Sequence, residues 1–264
     1  MINKPVFKIL GTGAGPGAPS FFCNCPGCCE ARNNPRLART RSGALVSTER
    51  ENILIDMPPD LRVQLLREKI STIDKIFLTH WHYDHFGGIG ELEYYVKLNR
   101  KTALPLYLPP EAVIQFQQAF PDLDDVFDVI PWEFGKAYQL DQVSIMPLPA
   151  NHGVETAGFL IESGDKKLAY FPDTAGLPAE TAEKVEQVDW LVCDATFYGD
   201  NWFPASHMSI EEAIELGWQV KAKSTILTHL SVHYSQPVTE KDLQAITTDN
   251  PTVLAAYDGM MFTL

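Results

Sequence analysis

The chain has 264 residues, 45% of them apolar and 21% charged, which is ordinary for a soluble globular protein able to bury a sizeable core. Acidic side chains outnumber basic ones 34 to 21, a formal net charge of −13 at pH 7, so the long-range attraction that brings duplex DNA or intact RNA to a surface is missing. No apolar run approaches the roughly 18 residues of a membrane span, and Met1 to Pro5 opens no secretory leader; a cytoplasmic protein with no membrane partner is expected.

Val6 to Leu10 reads as a first strand, ending in the Gly-rich turn Gly11 to Gly17. Pro16 and Pro19 interrupt that turn and no helical pattern opens behind it, which argues against a dinucleotide fingerprint; the glycines read as a tight loop that lets backbone approach a site. Residues 21–42 are polar and basic, and four of the five cysteines fall here within seven positions, Cys23, Cys25, Cys28 and Cys29. A segment with so little apolar content needs a metal staple to order itself. Cys193, alone in the apolar run Trp190-Leu191-Val192, reads as inert core.

Ala44 to Val46 and Asn52 to Asp56 read as paired strands, followed by a helix from Pro58 to about Lys69. The strand Lys75 to Leu78 leads into Thr79-His80-Trp81-His82-Tyr83-Asp84-His85-Phe86-Gly87-Gly88. Downstream, helices are expected over Ile89–Leu98, Glu111–Phe120 and Ile210–Gln219, and strands over Leu104–Leu108, Val143–Leu148, Val188–Val192, Thr225–Leu227 and Val253–Tyr257. Phe159–Ser163 and Leu168–Phe171 form a hairpin across Gly164-Asp165. This rhythm predicts two sheets faced together with helices outside, one compact α/β unit over residues 1–264.

Ligand-type residues cluster where strands end. Three of the seven histidines and one aspartate lie within the six positions from His80 to His85. His152, Asp173 and His229 each follow a separate apolar strand, and side chains at such ends project into a common rim. Imidazole nitrogen and carboxylate oxygen suit Zn, Mn or Fe, so a metal centre is expected.

The stretch Thr79 to His85 matches the HxHxDH pattern of the metallo-β-lactamase superfamily, and His152, Asp173 and His229 follow in that superfamily's order. The resemblance covers essentially the whole chain and implies an αββα sandwich. Within the superfamily the sequence resembles PhnP-type cyclic phosphodiesterases, on Cys23-x-Cys25-x2-Cys28 and Pro172-Asp173-Thr174-Ala175-Gly176-Leu177-Pro178. It also resembles tRNase Z on Asp194-Ala195-Thr196-Phe197 and His207-Met208-Ser209. The resemblance implies two divalent metal ions, one held by His80, His82 and His152, the other by Asp84, His85 and His229, with Asp173 between them. It further implies hydrolysis by a metal-bridging hydroxide. The catalytic residues expected are Asp84, His207 as phosphate contact and general acid, and Asp194 as the carboxylate holding the tautomer of His207. His207 also reads as a residue of the N-terminal region of the helix near Ser209, and Asp194 is one carbon shorter than the glutamate of the tRNase Z pattern.

The same resemblance implies a structural zinc on Cys23, Cys25 and Cys28, with His233 as fourth ligand and Cys29 as the competing one. Asp56 and Asp258 sit where the superfamily keeps carboxylates behind the ligands, where they could orient histidines or cap turns. Trp81 and Tyr83 read as packing residues; Trp202 and Phe203 read as lining a pocket or as core. The function expected is dinuclear hydrolysis of a small, cyclic ribosyl or nucleoside phosphodiester, with room for a homodimer. A tRNase Z-like endoribonuclease is a rival, although no basic, Gly-rich arm for tRNA stands out. A PqqB-like cofactor-biosynthesis protein and a non-catalytic binding module built on the Cys-rich loop are the others.

Overall fold

Alternation along the strands sorts the apolar side chains into three layers. The computed structural model describes residues 4–264; Met1 to Asn3, part of the stretch read for a leader, lie outside them. The first seven-stranded sheet holds β1 (Val6–Gly11), β2 (Gly43–Ser47), β3 (Asn52–Ile55), β4 (Lys75–Phe77), β5 (Leu104–Leu108), β6 (Phe127–Pro131) and the returning β14 (Met261–Thr263). Its spatial order is β14-β1-β2-β3-β4-β5-β6. The second, also of seven strands, holds β7 (Tyr138–Leu140), β8 (Val143–Pro149), β9 (Ala157–Ser163), β10 (Lys166–Phe171), β11 (Trp190–Asp194), β12 (Ser224–Thr228) and β13 (Val253–Ala255), and runs β13-β12-β11-β10-β9-β8-β7.

Successive strand residues face opposite ways. Ile53 and Ile55 of β3 meet Phe159, Ile161 and Tyr170 in the core between the sheets. Leu54, between them, packs outward with Leu61, Leu92 and Phe116 from the helices over the first sheet. In β11, Val192 points to the central layer, while Leu191 and Cys193 face Ile210 and Ala213 of the helix Ile210–Gln219. Burial pushes the Cys193 thiol up, as expected of inert core. This is the αββα sandwich that the pattern predicts.

The second sheet decides where the site lies. β10, β11, β12 and β13 run parallel, and β8 shares their direction because β9 is antiparallel to both β8 and β10. Their C-terminal ends therefore share one rim, and Ala157 N–H donates to Thr79 O at 3.0 Å to tie the loop after β4 to it.

Some elements differ from expectation. The Cys-rich segment contains a helix, Pro26–Asn33, capped by the Cys25 sulfur. The helix after Pro58 and Pro59 is confined to Leu61–Arg67. The helix expected over Ile89–Leu98 is wound unevenly: a 3-10 turn, a short α turn, then a π-helical stretch Tyr95–Arg100 that stops at Lys101 (φ 66). Strands β6, β7 and β14 and the helices Ala179–Lys184 and Glu240–Asp249 were not expected from the pattern. Among the described residues no helix is long and apolar enough to cross a membrane.

Candidate metal centre

Three strand ends deliver the first ligand group. The chain leaves β4 at Phe77, so His80 and His82 arrive at the rim just before the helical turn Tyr83–Phe86. His152 and Asp173 follow β8 and β10. His82 Nδ1 lies 2.9 Å from His80 Nε2 and 3.1 Å from His152 Nε2, and Asp173 Oδ2 is 3.4 Å from His80 Nε2. Two ring nitrogens can share a proton, but three facing one another cannot all be satisfied that way. A central cation resolves this, since tetrahedral zinc with Zn–N bonds of about 2.0–2.1 Å spaces its ligands by roughly 3.3 Å.

The turn Tyr83–Phe86 then aims Asp84 and His85 at a second point. His85 Nε2 lies 3.3 Å from Asp173 Oδ2 and 3.7 Å from Asp84 Oδ2. His229, after β12, places Nε2 3.5 Å from Asp84 Oδ2 and 3.7 Å from Asp173 Oδ2. Both Nε2 atoms are buried without a hydrogen-bond partner, a costly state that a cation removes. Asp173, 2% exposed, belongs to both groups. Burial opposes ionisation of Asp84 and Asp173, but the surrounding imidazoles outweigh it and hold both carboxyls below the usual range. The donor set thus fits two divalent ions.

The opposite ring nitrogens fix the tautomers. His85 Nδ1–H donates to Asp56 Oδ2 at 2.8 Å, and His152 Nδ1–H donates to Ser206 O at 2.8 Å. His80 Nδ1–H meets Thr79 Oγ1 at 3.0 Å, and that hydroxyl donates on to Asp56. His229 Nδ1–H meets Thr196 Oγ1 at 2.8 Å, whose proton passes to His229 O at 3.1 Å. Each contact keeps the proton on Nδ1 and turns the Nε2 lone pair inward; His82 is the exception and offers Nδ1. Asp56 thus orients two of these histidines, His85 directly and His80 through Thr79. Asp258 touches none: it accepts from Thr12, Thr40 and Arg67. Thr79 and Thr196 lie inside the Thr79–His85 and Asp194–Phe197 motifs, where residue type alone assigns a threonine no role. Asp56 and His229 adopt left-handed backbone, φ 64 and φ 54. The Gly-rich turn approaches as expected, since a Cβ on Gly15 would stand 3.3 Å from Asp84 Oδ2.

His207 closes the rim. It precedes the cap Ser209 of the helix Ile210–Gln219, and its Nδ1 lies 2.9 Å from Asp194 Oδ2 and 2.8 Å from Asp173 Oδ1. The shorter arm of Asp194 suffices because the Thr174 and Thr196 amides hold its carboxylate at 3.1 and 2.8 Å. Burial disfavours the imidazolium, but Asp173 and Asp194 outweigh it and raise His207 to about 10. A cleft of about 320 Å³, lined by Asn151, Gly176, His207 and Glu212 among others, opens beside it.

The cysteine loop forms a separate group. Cys23, Cys25, Cys28 and His233 present ligand atoms within 4.8 Å of one another, with Cys28 Sγ 3.5 Å from His233 Nδ1. Cys29 turns its thiol away to Asn24 O. The structure therefore brings His233, not Cys29, to the three sulfurs, and the amides of Cys25, Cys28 and Ser20 point at those sulfurs.

An αββα sandwich whose strand ends offer two His/Asp ligand groups around a shared aspartate defines a class of metal-dependent hydrolases. The chain belongs to the metallo-β-lactamase superfamily, the beta-lactamase superfamily domain matching residues 51–230. It is 26% identical over 272 residues to an octanoyltransferase of Porphyromonas gingivalis, covering 96% of this chain but 50% of that protein, so it spans half the relative's length. Coenzyme PQQ synthesis protein B of a Methylobacterium species is 31% identical over 231 residues, 73% of each chain. The crystal structure of a diphosphatase from the PhnP family matches at TM-score 0.85 and 25% identity, over 100% of this chain and 98% of that one.

Proposed function

We propose that the chain is a dinuclear metal-dependent phosphodiesterase for a small ester, a cyclic ribosyl or nucleoside phosphate. The observation that carries this reading is His207, whose Nδ1 is held between Asp194 and the shared Asp173 at the edge of the metal centre. His80, His82 and His152 would hold one ion, Asp84, His85 and His229 the other, and Asp173 both. Such a pair supplies charge neutralisation at phosphoryl oxygens and a water ionised near neutral pH. The side chains do the rest. With Nδ1 engaged by carboxylates, Nε2 is the nitrogen of His207 left for substrate, and it carries a proton at neutral pH. It contacts the phosphate and gives that proton to the departing ester oxygen, while Asp194 keeps the Nδ1 proton in place. The likeness to a PhnP-family diphosphatase supports phosphorus chemistry, and the charge of −13 supports a small substrate over tRNA or duplex nucleic acid.

A second reading, a role in cofactor biosynthesis, is favoured by the 31% identity to coenzyme PQQ synthesis protein B. Metal analysis combined with assays on 2′,3′-cyclic nucleotides and precursor tRNA separates the possibilities. Turnover of the cyclic esters is expected; a fully metallated protein that cleaves no phosphodiester overturns the proposal and favours the second reading.

A further inference from the structure

Beside His207 the protein exposes aromatic surface that its own fold does not cover. The loop between β11 and the helix Ile210–Gln219 carries Trp202, 61% exposed, and Phe203, 46% exposed. Their rings lie 22° from parallel with centroids 6.1 Å apart, and Phe203 stands 5.9 Å from the His207 ring. Tyr234 joins them, its ring centroid 5.6 Å from that of Trp202.

This surface is braced from behind. Buried Phe197 is a shared backstop, 5.0 Å from Trp202, 5.6 Å from Tyr234 and 6.2 Å from His207. Asn201 staples the loop: its Oδ1 accepts from Phe203 N at 3.0 Å, and its Nδ2 donates to His207 O at 2.8 Å and to Glu212 at 2.9 Å. Loops carrying large aromatics gain stability by folding them inward; here the backbone contacts instead hold two ring faces outward, one residue network away from the group that meets the phosphate.

We propose that Trp202 and Phe203 form a stacking platform for a planar heteroaromatic ring of the substrate, so that the ester cleaved is a nucleoside phosphate and not a base-free sugar phosphate. This rests on the phosphodiesterase reading of the same site. Continuity with His207 decides the occupant: the Phe203 ring stands 5.9 Å from that of His207, so a molecule whose phosphate meets His207 can lay a planar ring on this loop. A base stacks on an aromatic face irrespective of its hydrogen-bonding edge, so the platform accepts several bases.

The test compares adenosine 2′,3′-cyclic phosphate with methyl riboside 2,3-cyclic phosphate, using wild type, Trp202→Ala and Trp202→Phe. Alanine replacement of a stacking partner weakens base binding about 5- to 150-fold. The ratio of kcat/KM for the two esters is therefore expected to fall by that factor in Trp202→Ala, mainly through KM, and to recover in Trp202→Phe. Calorimetric titration of the metal-loaded protein with adenosine 3′-monophosphate and ribose 5-phosphate reads the platform without turnover. Wild type that cleaves neither ester but binds the nucleotide through Trp202 defeats the phosphodiesterase reading and keeps the platform. A ratio unchanged by Trp202→Ala, or an equal loss on both esters, overturns the platform and leaves the phosphodiesterase reading standing.

Discussion

At the scale of single residues, the proposed mechanism separates the side chains of the two His/Asp groups from His207 and Asp194, which would move a proton. His207→Ala is expected to cut turnover of an ester with a poor leaving group about 100- to 10,000-fold, the usual worth of a positioned acid. Metal content measured by atomic absorption should stay at the wild-type level; an ester with an activated leaving group should lose far less. With His207 as the acid of the proposed mechanism, activity should fall as pH rises and the proton is lost. Asp194 is one of the two carboxylates that raise that proton's pKa, so Asp194→Asn should move the alkaline limb of the kcat profile to lower pH. An unmoved limb would remove Asp194 from that role. That His80, His82, His85, His152 and His229 gather at one rim was legible in the sequence, because ligand-type residues so seldom follow apolar strands one after another. Thr79 and Thr196 were not singled out, because a threonine hydroxyl near a ligand is chemically unremarkable until its distance to the ring nitrogen is known. Ser206 could not be found at all, since it contributes a backbone carbonyl.

At the scale of elements, the cysteine loop shows what a local pattern can and cannot predict. Spacing pointed to a metal staple but hid the helix Pro26–Asn33, whose mean composition is polar. That helix is capped by the Cys25 sulfur, so a metal held by the three cysteines and His233 would share that atom with helix initiation. Cys28→Ser is expected to lower zinc content by the loop's share while the His/Asp groups keep theirs. Protease sensitivity should rise within residues 21–42; zinc stoichiometry and mass-mapped proteolysis check both. The helix Glu240–Asp249 was missed although its signal was present, as Thr239 and Asp242 form a reciprocal capping box. Strands β6, β7 and β14 escape the pattern for another reason: each is a sheet edge paired with a single well-marked neighbour, β5, β8 or β1, and β7 and β14 have only three residues. Such short edges are specified by the strand they join more than by their own pattern.

At the scale of the whole molecule, the metal centre is a seam between sheets. His80, His82, Asp84 and His85 belong to the connection after β4, while His152, Asp173 and His229 follow strands of the second sheet. A ligand bound only by the folded chain stabilises it by mass action, by about 2.7 kcal/mol when free metal is 100 times its Kd. Removing metal with a chelator is therefore expected to lower the thermal midpoint, and adding divalent metal to restore it. His85→Ala should blunt that response, and an unchanged midpoint on chelation would show the seam closed without metal.

The division of ligands has a consequence for how the chain could be cut. It passes from the first sheet to the second between β6 and β7 and returns only at β14. Neither group of three or four ligands is complete on one side of that passage. Of fragments severed there, one would keep six strands of the first sheet and the other the whole second sheet with β14; each would bring half a coordination sphere, and metal capture would become a bimolecular event governed by fragment concentration. In the intact chain the polypeptide itself supplies that concentration. The covalent link between β6 and β7 thus acts as a tether, and the affinity of the site for metal is in part a property of peptide bonds that never touch it.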